Sequence, residues 1–162
     1  MLCFIILIIG MRVSHAVQPV GSAFFTSALS NSVIKCGVTS SGDVVGCRSF
    51  ITKGLQLPSR ISVYNGSIYV PTASSMNVYS LATGALSASV SFGSNSGPGY
   101  ARFFNDSVYV IVSNPSGKKT NTLQRCSTAL ARCVPSGAST PLAGPADLAI
   151  DGQRLYWTNY FG

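Results

Sequence analysis

The sequence predicts an all-β fold of repeated four-stranded units, on the strength of two observations. An apolar run, an Asn/Asp turn and a second run carrying a tyrosine recur at 60–70, 101–110 and 147–157, which places Tyr69, Tyr109 and Tyr156 40 and 47 residues apart. The segments between these motifs alternate apolar and polar residues at the period of a strand and show no helical period. A repeat of this length filled with short strands is typical of β-propeller blades.

The segment between the tyrosine motifs repeats as well. Residues 35–50 align without gaps on residues 77–92, so that Gly42 matches Gly84 and Phe50 matches Phe92. Both segments predict a β-hairpin with a polar, glycine-bearing turn, and residues 123–134 predict a shorter version.

The β-propeller repeat domain is expected to cover 17–162, with blades near 20–57, 58–96 and 97–143 and the start of a fourth at 144–162. The first blade is predicted to lack its innermost strand. The loop at 113–122, rich in Pro, Gly, Asn and Lys, is predicted to be exposed. The strands are expected at Ala23–Ser27, Val33–Gly37, Val44–Ser49, Ile61–Tyr64, Ser67–Pro71, Met76–Ser80, Leu86–Phe92, Ala101–Phe104, Ser107–Ser113, Leu123–Ser127, Ala131–Pro135, Asp147–Ile150 and Arg154–Tyr160.

This count amounts to about three and a quarter four-stranded blades, whereas propellers close with about 4–8 blades. Two expectations are therefore open: a fragment of a longer repeat protein, which we favour, or copies that associate edge to edge. Exposed edge strands favour pairing of this kind.

The N-terminal residues 1–16 predict a secretory signal peptide, because a ten-residue apolar run precedes the small residues Ser14 and Ala16. A buried first strand or an uncleaved membrane anchor is the alternative, and the anchor would be the only predicted membrane contact. Cleavage after Ala16 would remove Cys3 and His15, and so predicts a secreted or cell-surface protein with four cysteines and no histidine.

The four remaining cysteines lie symmetrically about two hairpin turns, with Cys36 and Cys47 flanking one and Cys126 and Cys133 the other. Residues opposite each other in a hairpin are within disulfide reach, which favours Cys36–Cys47 and Cys126–Cys133 over the other pairings. Spacings of ten and six intervening residues fit no zinc ribbon, so we expect no metal. The gapless alignment gives the second blade Val78 and Ser89 at these positions.

Charged residues make up only 9 % of the chain, with no glutamate and a net charge of +7 that falls to +6 without Arg12. The basic residues are scattered along the sequence, whereas nucleic-acid-binding proteins usually show a basic stripe. We therefore expect no nucleic-acid partner, and only a general attraction to anionic surfaces such as acidic glycans or lipid headgroups.

The segments 123–133 and 142–159 resemble secreted YWTD-like and NHL-like six-bladed β-propeller repeat proteins. In these proteins a Pro-x-x-Ile/Leu-Ala-x-Asp run leads into a Tyr-Trp-Thr-Asn/Asp motif. Here Tyr156-Trp157-Thr158-Asn159 stands at the position of that second motif. The resemblance implies a propeller fold and a role in binding proteins or glycans outside the cell. The resemblance also makes a catalytic role a candidate, because the enzymes with this fold include lactonases and lyases that use a central calcium ion or a histidine.

The mature sequence offers little for catalysis, since it has no histidine and its only carboxylates are those of Asp43, Asp106, Asp147 and Asp151. We expect no catalytic residues, cofactor or metal. Tyr156, Trp157 and Asp147 are the candidate ligand contacts, because exposed Tyr and Trp favour interfaces and Asp147 precedes a fourth-blade strand. Asn65 and Asn105 begin N-glycosylation sequons, and the residues following them also favour tight turns.

The leading functional hypothesis is a secreted or surface-exposed, non-catalytic propeller module that binds an extracellular protein or glycan. The alternative is a fragment of a propeller enzyme whose catalytic residues lie in other blades. A partial, non-functional gene product is a third interpretation.

Overall fold

The computed structural model describes residues 18–93, 96–113, 121–136, 145–152 and 154–159. Within these ranges the chain forms thirteen antiparallel strands, β1 to β13. Their bounds are Gly21–Ser27, Ser32–Val38, Val44–Ile51, Ser62–Tyr64, Ser67–Pro71, Ser75–Ser80, Leu86–Ser91, Pro98–Phe104, Ser107–Val112, Thr122–Ser127, Cys133–Pro135, Pro145–Asp151 and Arg154–Asn159. In the same ranges no helix is long and apolar enough to cross a membrane.

The strands form four sheets in chain order. The first sheet is β1-β2-β3, the second β4-β5-β6-β7, the third β8-β9-β10-β11, and the fourth the hairpin β12-β13. Each strand pairs with its neighbour in sequence, which is the up-and-down order of propeller blades. The all-β propeller prediction is confirmed, and no fourth strand joins the first sheet within the described residues.

Tight turns connect the paired strands where the sequence places Asn, Asp and Gly. Asn65 and Gly66 have φ of 43° and 72°, and Asn105 and Asp106 have φ of 44° and 54°. Two consecutive positive φ angles are the geometry of a type I′ hairpin turn, which Asn, Asp and Gly adopt at least cost. These two turns are as predicted.

Apolar side chains pack between successive sheets. Between the first and second sheets, Val33 and Ile51 meet Ile68, Val70 and Tyr79. Between the third and fourth, Ile111 and Leu123 meet Leu148. The largest cluster lies between the second and third sheets, and its buried members are Tyr69, Met76, Val78, Ala101, Val108, Val110, Val112, Cys126 and Leu130.

Because side chains alternate along a strand, each sheet has one face toward the preceding sheet and one toward the following sheet. We call these its back and forward faces. Tyr69 and Val78 are opposite each other on the forward face of the second sheet. Val108 and Cys126 are opposite each other on the back face of the third sheet.

The structure contains the two disulfides that the hairpin symmetry predicts, Cys36–Cys47 and Cys126–Cys133. The gapless alignment of Cys36 with Val78 is wrong by one residue. Cys36 is three residues from Val33, on the opposite face of β2, whereas Val78 lies on a forward face. The back-face pair of the second sheet is Tyr79 with Leu86. Ten residues separate Cys36 from Cys47, whereas only six separate Tyr79 from Leu86, so an alignment without gaps cannot match both strands of these hairpins.

About half of the predicted strand ends differ from the structure, most of them by one residue. The largest difference is in the third sheet, where β8 begins three residues earlier than expected, and in the same sheet β11 begins two residues later. Leu130 accounts for the second difference, since its φ of 54° extends the turn before β11. The predicted signal peptide at 1–16 and most of the 113–122 loop lie outside the described residues.

Candidate functional site

The fourth sheet presents a face that no other described sheet covers, and this face contains two of the three candidate ligand contacts, Tyr156 and Asp147. Ala149 lies opposite Tyr156 and Asp147 opposite Thr158 in the β12–β13 register. Tyr156 is 47 % exposed. We call these four residues the Tyr156 face; with Leu148 and Trp157 they line a shallow recess of about 220 Å³.

Trp157 and Tyr156 point to opposite faces, as adjacent residues of a strand must. Trp157 lies opposite Leu148 and packs with it against Ile111 and Leu123 of the third sheet. Its indole therefore holds two sheets together, and Tyr156 is the aromatic that the open face presents.

Asp147 is committed to contacts within the chain. Its Oδ1 lies 3.0 Å from Arg102 Nη2, an ion pair between the fourth and third sheets whose side chains are 50 % and 40 % exposed. The same oxygen accepts a 2.7 Å hydrogen bond from Leu148 N, and Asp147 N donates to Thr158 Oγ1 at 3.1 Å. At this exposure the ion pair contributes at most about 1 kcal/mol, so we assign Asp147 a role in orienting the hairpin.

A second recess, of about 330 Å³, lies on the third sheet. Arg125 and Arg132 line it with the hydroxyl-bearing Ser107 and Ser127, the Asp106 carboxylate, Cys126 and Val134. Both arginines are exposed, and within the described residues neither takes part in an ion pair. We call this the Arg125–Arg132 recess. The sequence shows these arginines only as two members of a scattered basic set.

The hairpin brings the two arginines of this recess together. Ser127 N donates to Arg132 O at 3.0 Å, which closes the turn, and the Cys126–Cys133 disulfide ties the strands beside it. Arg125 lies one residue before Cys126 and Arg132 one residue before Cys133. The disulfide therefore holds the backbone at the two arginine positions close together.

A third cavity, of about 380 Å³, lies where the first sheet joins the second, with Phe50, Ile51, Lys53, Tyr79 and Leu86 among its lining residues. Tyr79 is 2 % exposed, and its hydroxyl donates to Lys53 O at 3.1 Å. Burial raises the pKa of Tyr79, and a hydrogen bond with Asn77 opposes the rise. The hydroxyl is thus already used to fix the connection between the sheets.

Asn77 completes this connection. Its Nδ2 donates to Gly54 O at 2.7 Å, and its Oδ1 accepts from Ser89 Oγ at 2.6 Å. Asn77 is only 4 % exposed, so these bonds offset the cost of burying the amide. We therefore interpret the cavity as a structural junction.

The remaining sequence candidates lie apart from one another. Asn65 and Asn105 are exposed in their hairpin turns, where a glycan has room, and glycosylation stays a prediction. Among the described residues no group of three or more His, Cys, Asp or Glu side chains converges.

Comparison with known proteins supports the fold. No protein-family model matches the chain, and no curated protein matches its sequence. Among solved structures, a europium-containing methanol dehydrogenase aligns with a TM-score of 0.52 at 14 % identity, covering 70 % of this chain and 22 % of its own length. The computationally designed Ika4 protein aligns with a TM-score of 0.55 at 13 % identity, covering 90 % of this chain and 91 % of that protein.

Identities this low show a propeller-like β fold and nothing finer. The YWTD-like and NHL-like families are not identified among the similar proteins. The chain spans about a fifth of the methanol dehydrogenase that it resembles, so the activity in that protein's name belongs to the whole enzyme.

Proposed function

We propose that the chain is a secreted or cell-surface, non-catalytic β-propeller module that binds an acidic extracellular glycan, or a glycoprotein carrying one, in the Arg125–Arg132 recess. The observation that carries this proposal is the two guanidinium groups that line one recess without ion-pair partners among the described residues. Two guanidinium groups in one polar recess are suited to an anionic ligand larger than a simple inorganic ion.

The chemistry of the lining supports a glycan. A guanidinium binds sulfate or carboxylate through two parallel charge-assisted hydrogen bonds. The hydroxyls of Ser107 and Ser127 and the Asp106 carboxylate can bond to sugar hydroxyls. The Asp106 carboxylate also repels a simple inorganic anion. The recess therefore favours an acidic sugar, whose hydroxyls can bond to that carboxylate.

The surroundings of the recess support a binding role outside the cell. The two disulfides are compatible with an extracellular location, because such bonds persist in oxidising compartments. After cleavage of the predicted signal peptide the sequence would contain no histidine and no glutamate, which together with aspartate are the residue types that most often transfer protons in enzymes. Sites grafted onto a stable fold give propellers their varied functions.

Binding to an immobilised sulfated glycan, heparin, tests the proposal on protein made in a bacterial periplasm, so that Asn105 carries no sugar. The double variant Arg125→Ser/Arg132→Ser should bind about 100-fold more weakly, since a hydrogen bond to a charged group contributes about 1.5–3 kcal/mol. Surface plasmon resonance at several salt concentrations measures the change.

The matched control is Arg48→Ser/Arg154→Ser, which removes the same charge from two exposed arginines outside the recess. It should weaken binding by a few-fold at low salt and hardly at physiological salt. Equal losses in the two double variants, or equal affinity for heparin and for a DNA oligonucleotide of matched charge, would show unspecific polyanion attraction and overturn the recess as a glycan site.

A further inference from the structure

We infer that the Tyr156 face is an interface for a second copy of this chain, whose first sheet covers it head to tail. This inference is independent of the glycan recess, and it rests on an interface that the chain already uses between its own sheets.

The tyrosine of the repeat faces the following sheet in each complete pairing. Tyr69 is 2 % exposed; its ring meets Phe103 edge-on at 4.7 Å, and its hydroxyl donates to Thr128 O at 2.8 Å. Tyr109 packs in the cluster between the third and fourth sheets. Tyr156 occupies the third copy of this position, and within the described residues no sheet covers it.

The first sheet presents the complementary back face. Ala23 pairs with Cys36 as Val108 pairs with Cys126 in the third sheet, so Phe25 corresponds to Val110 two residues further on. Val108 and Val110 are fully buried under the second sheet, whereas Phe25 is 48 % exposed. Phe25 lies beside Ile34, and together they form an apolar patch on the back face of the first sheet.

These two faces therefore repeat the two sides of the interface between the second and third sheets. A back face with a disulfide covers Tyr69 in that interface, and the first sheet is the other described sheet that carries a back-face disulfide. Placing the first sheet of one copy on the Tyr156 face of another continues the internal packing. Contacts of this kind are heterologous, and they close into a ring or continue as a filament.

Sheet count favours a closed dimer. Propellers close with about 4–8 blades, and two copies of the four sheets that the described residues form, two of them incomplete, fall within this range. Each dimer would contain two equivalent interfaces, so that both Phe25 patches and both Tyr156 faces are covered.

Sedimentation equilibrium of the oxidised chain tests this interface, with a mass of two copies expected at micromolar concentration. Tyr156→Arg and Phe25→Arg should each raise the dimer dissociation constant by about 30-fold or more, the loss typical of a central aromatic. Leu29→Arg is the matched control, because Leu29 is fully exposed in the β1–β2 turn and lies outside both faces. It should leave the mass unchanged.

Mixing the two arginine variants separates head-to-tail contact from other arrangements. Each variant retains the face that the other lacks, so an equimolar mixture should recover dimers through one intact interface. If circular dichroism shows that Phe25→Arg does not fold, the mixing experiment is replaced by sedimentation of the Ala149→Arg variant. Ala149 lies opposite Tyr156 on the same face, so this variant should also dissociate the dimer.

Three results would overturn the inference: a monomer at 100 µM, dimers that persist in both variants, or variants that dissociate but do not recover on mixing. The last would indicate an interface in which identical faces meet. Heparin binding in the same samples keeps the two proposals apart, since an unaltered chain that stays monomeric but binds heparin contradicts this inference alone.

Discussion

Tyr69 and Tyr156 occupy the same position of the repeat but have opposite surroundings. Tyr69 is covered by the third sheet, with its ring against Phe103 and its hydroxyl bonded to Thr128 O. Tyr156 is 47 % exposed, on a face that no other described sheet covers. The difference shows that this tyrosine is an inter-sheet contact residue, whose contribution to stability depends on whether a sheet covers it.

The largest expected effect on stability comes from truncating the covered tyrosine, and the matching truncation of Tyr156 in a separate variant is the comparison. Tyr69→Ala should lower the free energy of unfolding by about 3–5 kcal/mol, because it leaves a cavity beneath the third sheet. Tyr156→Ala should change it by less than about 0.5 kcal/mol in the monomer. Urea unfolding at a concentration too low for association measures both values.

Similar losses for the two variants would contradict the comparison. They would mean that Tyr156 is covered in the monomer, for example by residues outside the described ranges. Leu29→Ala serves as the control at an exposed position, since Leu29 is fully exposed and lies outside the surroundings of both tyrosines.

The disulfides sharpen the comparison because one lies in the interface between the second and third sheets, and the other lies on the back face of the first sheet, which no other described sheet covers. Replacing either pair by serine should cost about 2–3 kcal/mol, as expected for closing a loop of about ten residues. Cys126 belongs to the cluster around Tyr69, so the Cys126→Ser/Cys133→Ser variant should also increase quenching of tyrosine fluorescence by acrylamide.

The serine variant of Cys36 and Cys47 is the control for this quenching. It should lose stability through the same entropic term while Tyr69 stays covered. Equal quenching in both variants would place the effect in general unfolding rather than in the interface.

Local signals in the sequence were sufficient to predict most of the fold. The turns at Asn65-Gly66 and Asn105-Asp106 depend on the residues within them, so their positions and the pairing of the adjacent strands follow directly. The face of a strand was harder to predict. The longer connection between Cys36 and Cys47 moves the equivalence of Cys36 from Val78 to Tyr79, and a one-residue slip exchanges the faces.

The candidate site was predictable only in part, for a related reason. Alternation shows that Tyr156 and Trp157 point to opposite faces of the sheet. Which of the two is buried depends on which face the third sheet covers, and the sequence alone does not show this. The Arg125–Arg132 recess depends on the turn at Leu130 and on contacts across the hairpin. Neither arginine is distinguishable by sequence from the other scattered bases.

Removing only the hydroxyls should have a smaller effect than truncation. Tyr69→Phe keeps the ring contact with Phe103 but loses the bond to Thr128 O, which should cost about 0.5–1.5 kcal/mol. Tyr156→Phe should be neutral, since no hydrogen bond of its hydroxyl is formed within the described residues. Thermal unfolding at neutral pH is sufficient, and a larger loss for Tyr156→Phe would contradict the comparison.

The smallest expected effect is a pH dependence confined to alkaline solution. Burial, with the nearby Tyr64 as a lesser cause, raises the pKa of Tyr69 above its ordinary value of 10.0. The native state thus holds this proton more tightly than the unfolded chain does. Stability from this source is fully present below pH 10 and is lost as the pH rises through the raised pKa.

Unfolding measured from pH 8 to 11.5 should therefore show a steeper loss of stability above pH 10 for the unaltered chain than for Tyr69→Phe. Tyr79→Phe should flatten the slope in the same way, because burial also raises the pKa of Tyr79. Tyrosinate absorbance at 295 nm follows the ionisation directly. If the slope above pH 10 is the same in all three proteins, the two covered hydroxyls do not retain their protons and the inter-sheet packing is looser than the structure shows.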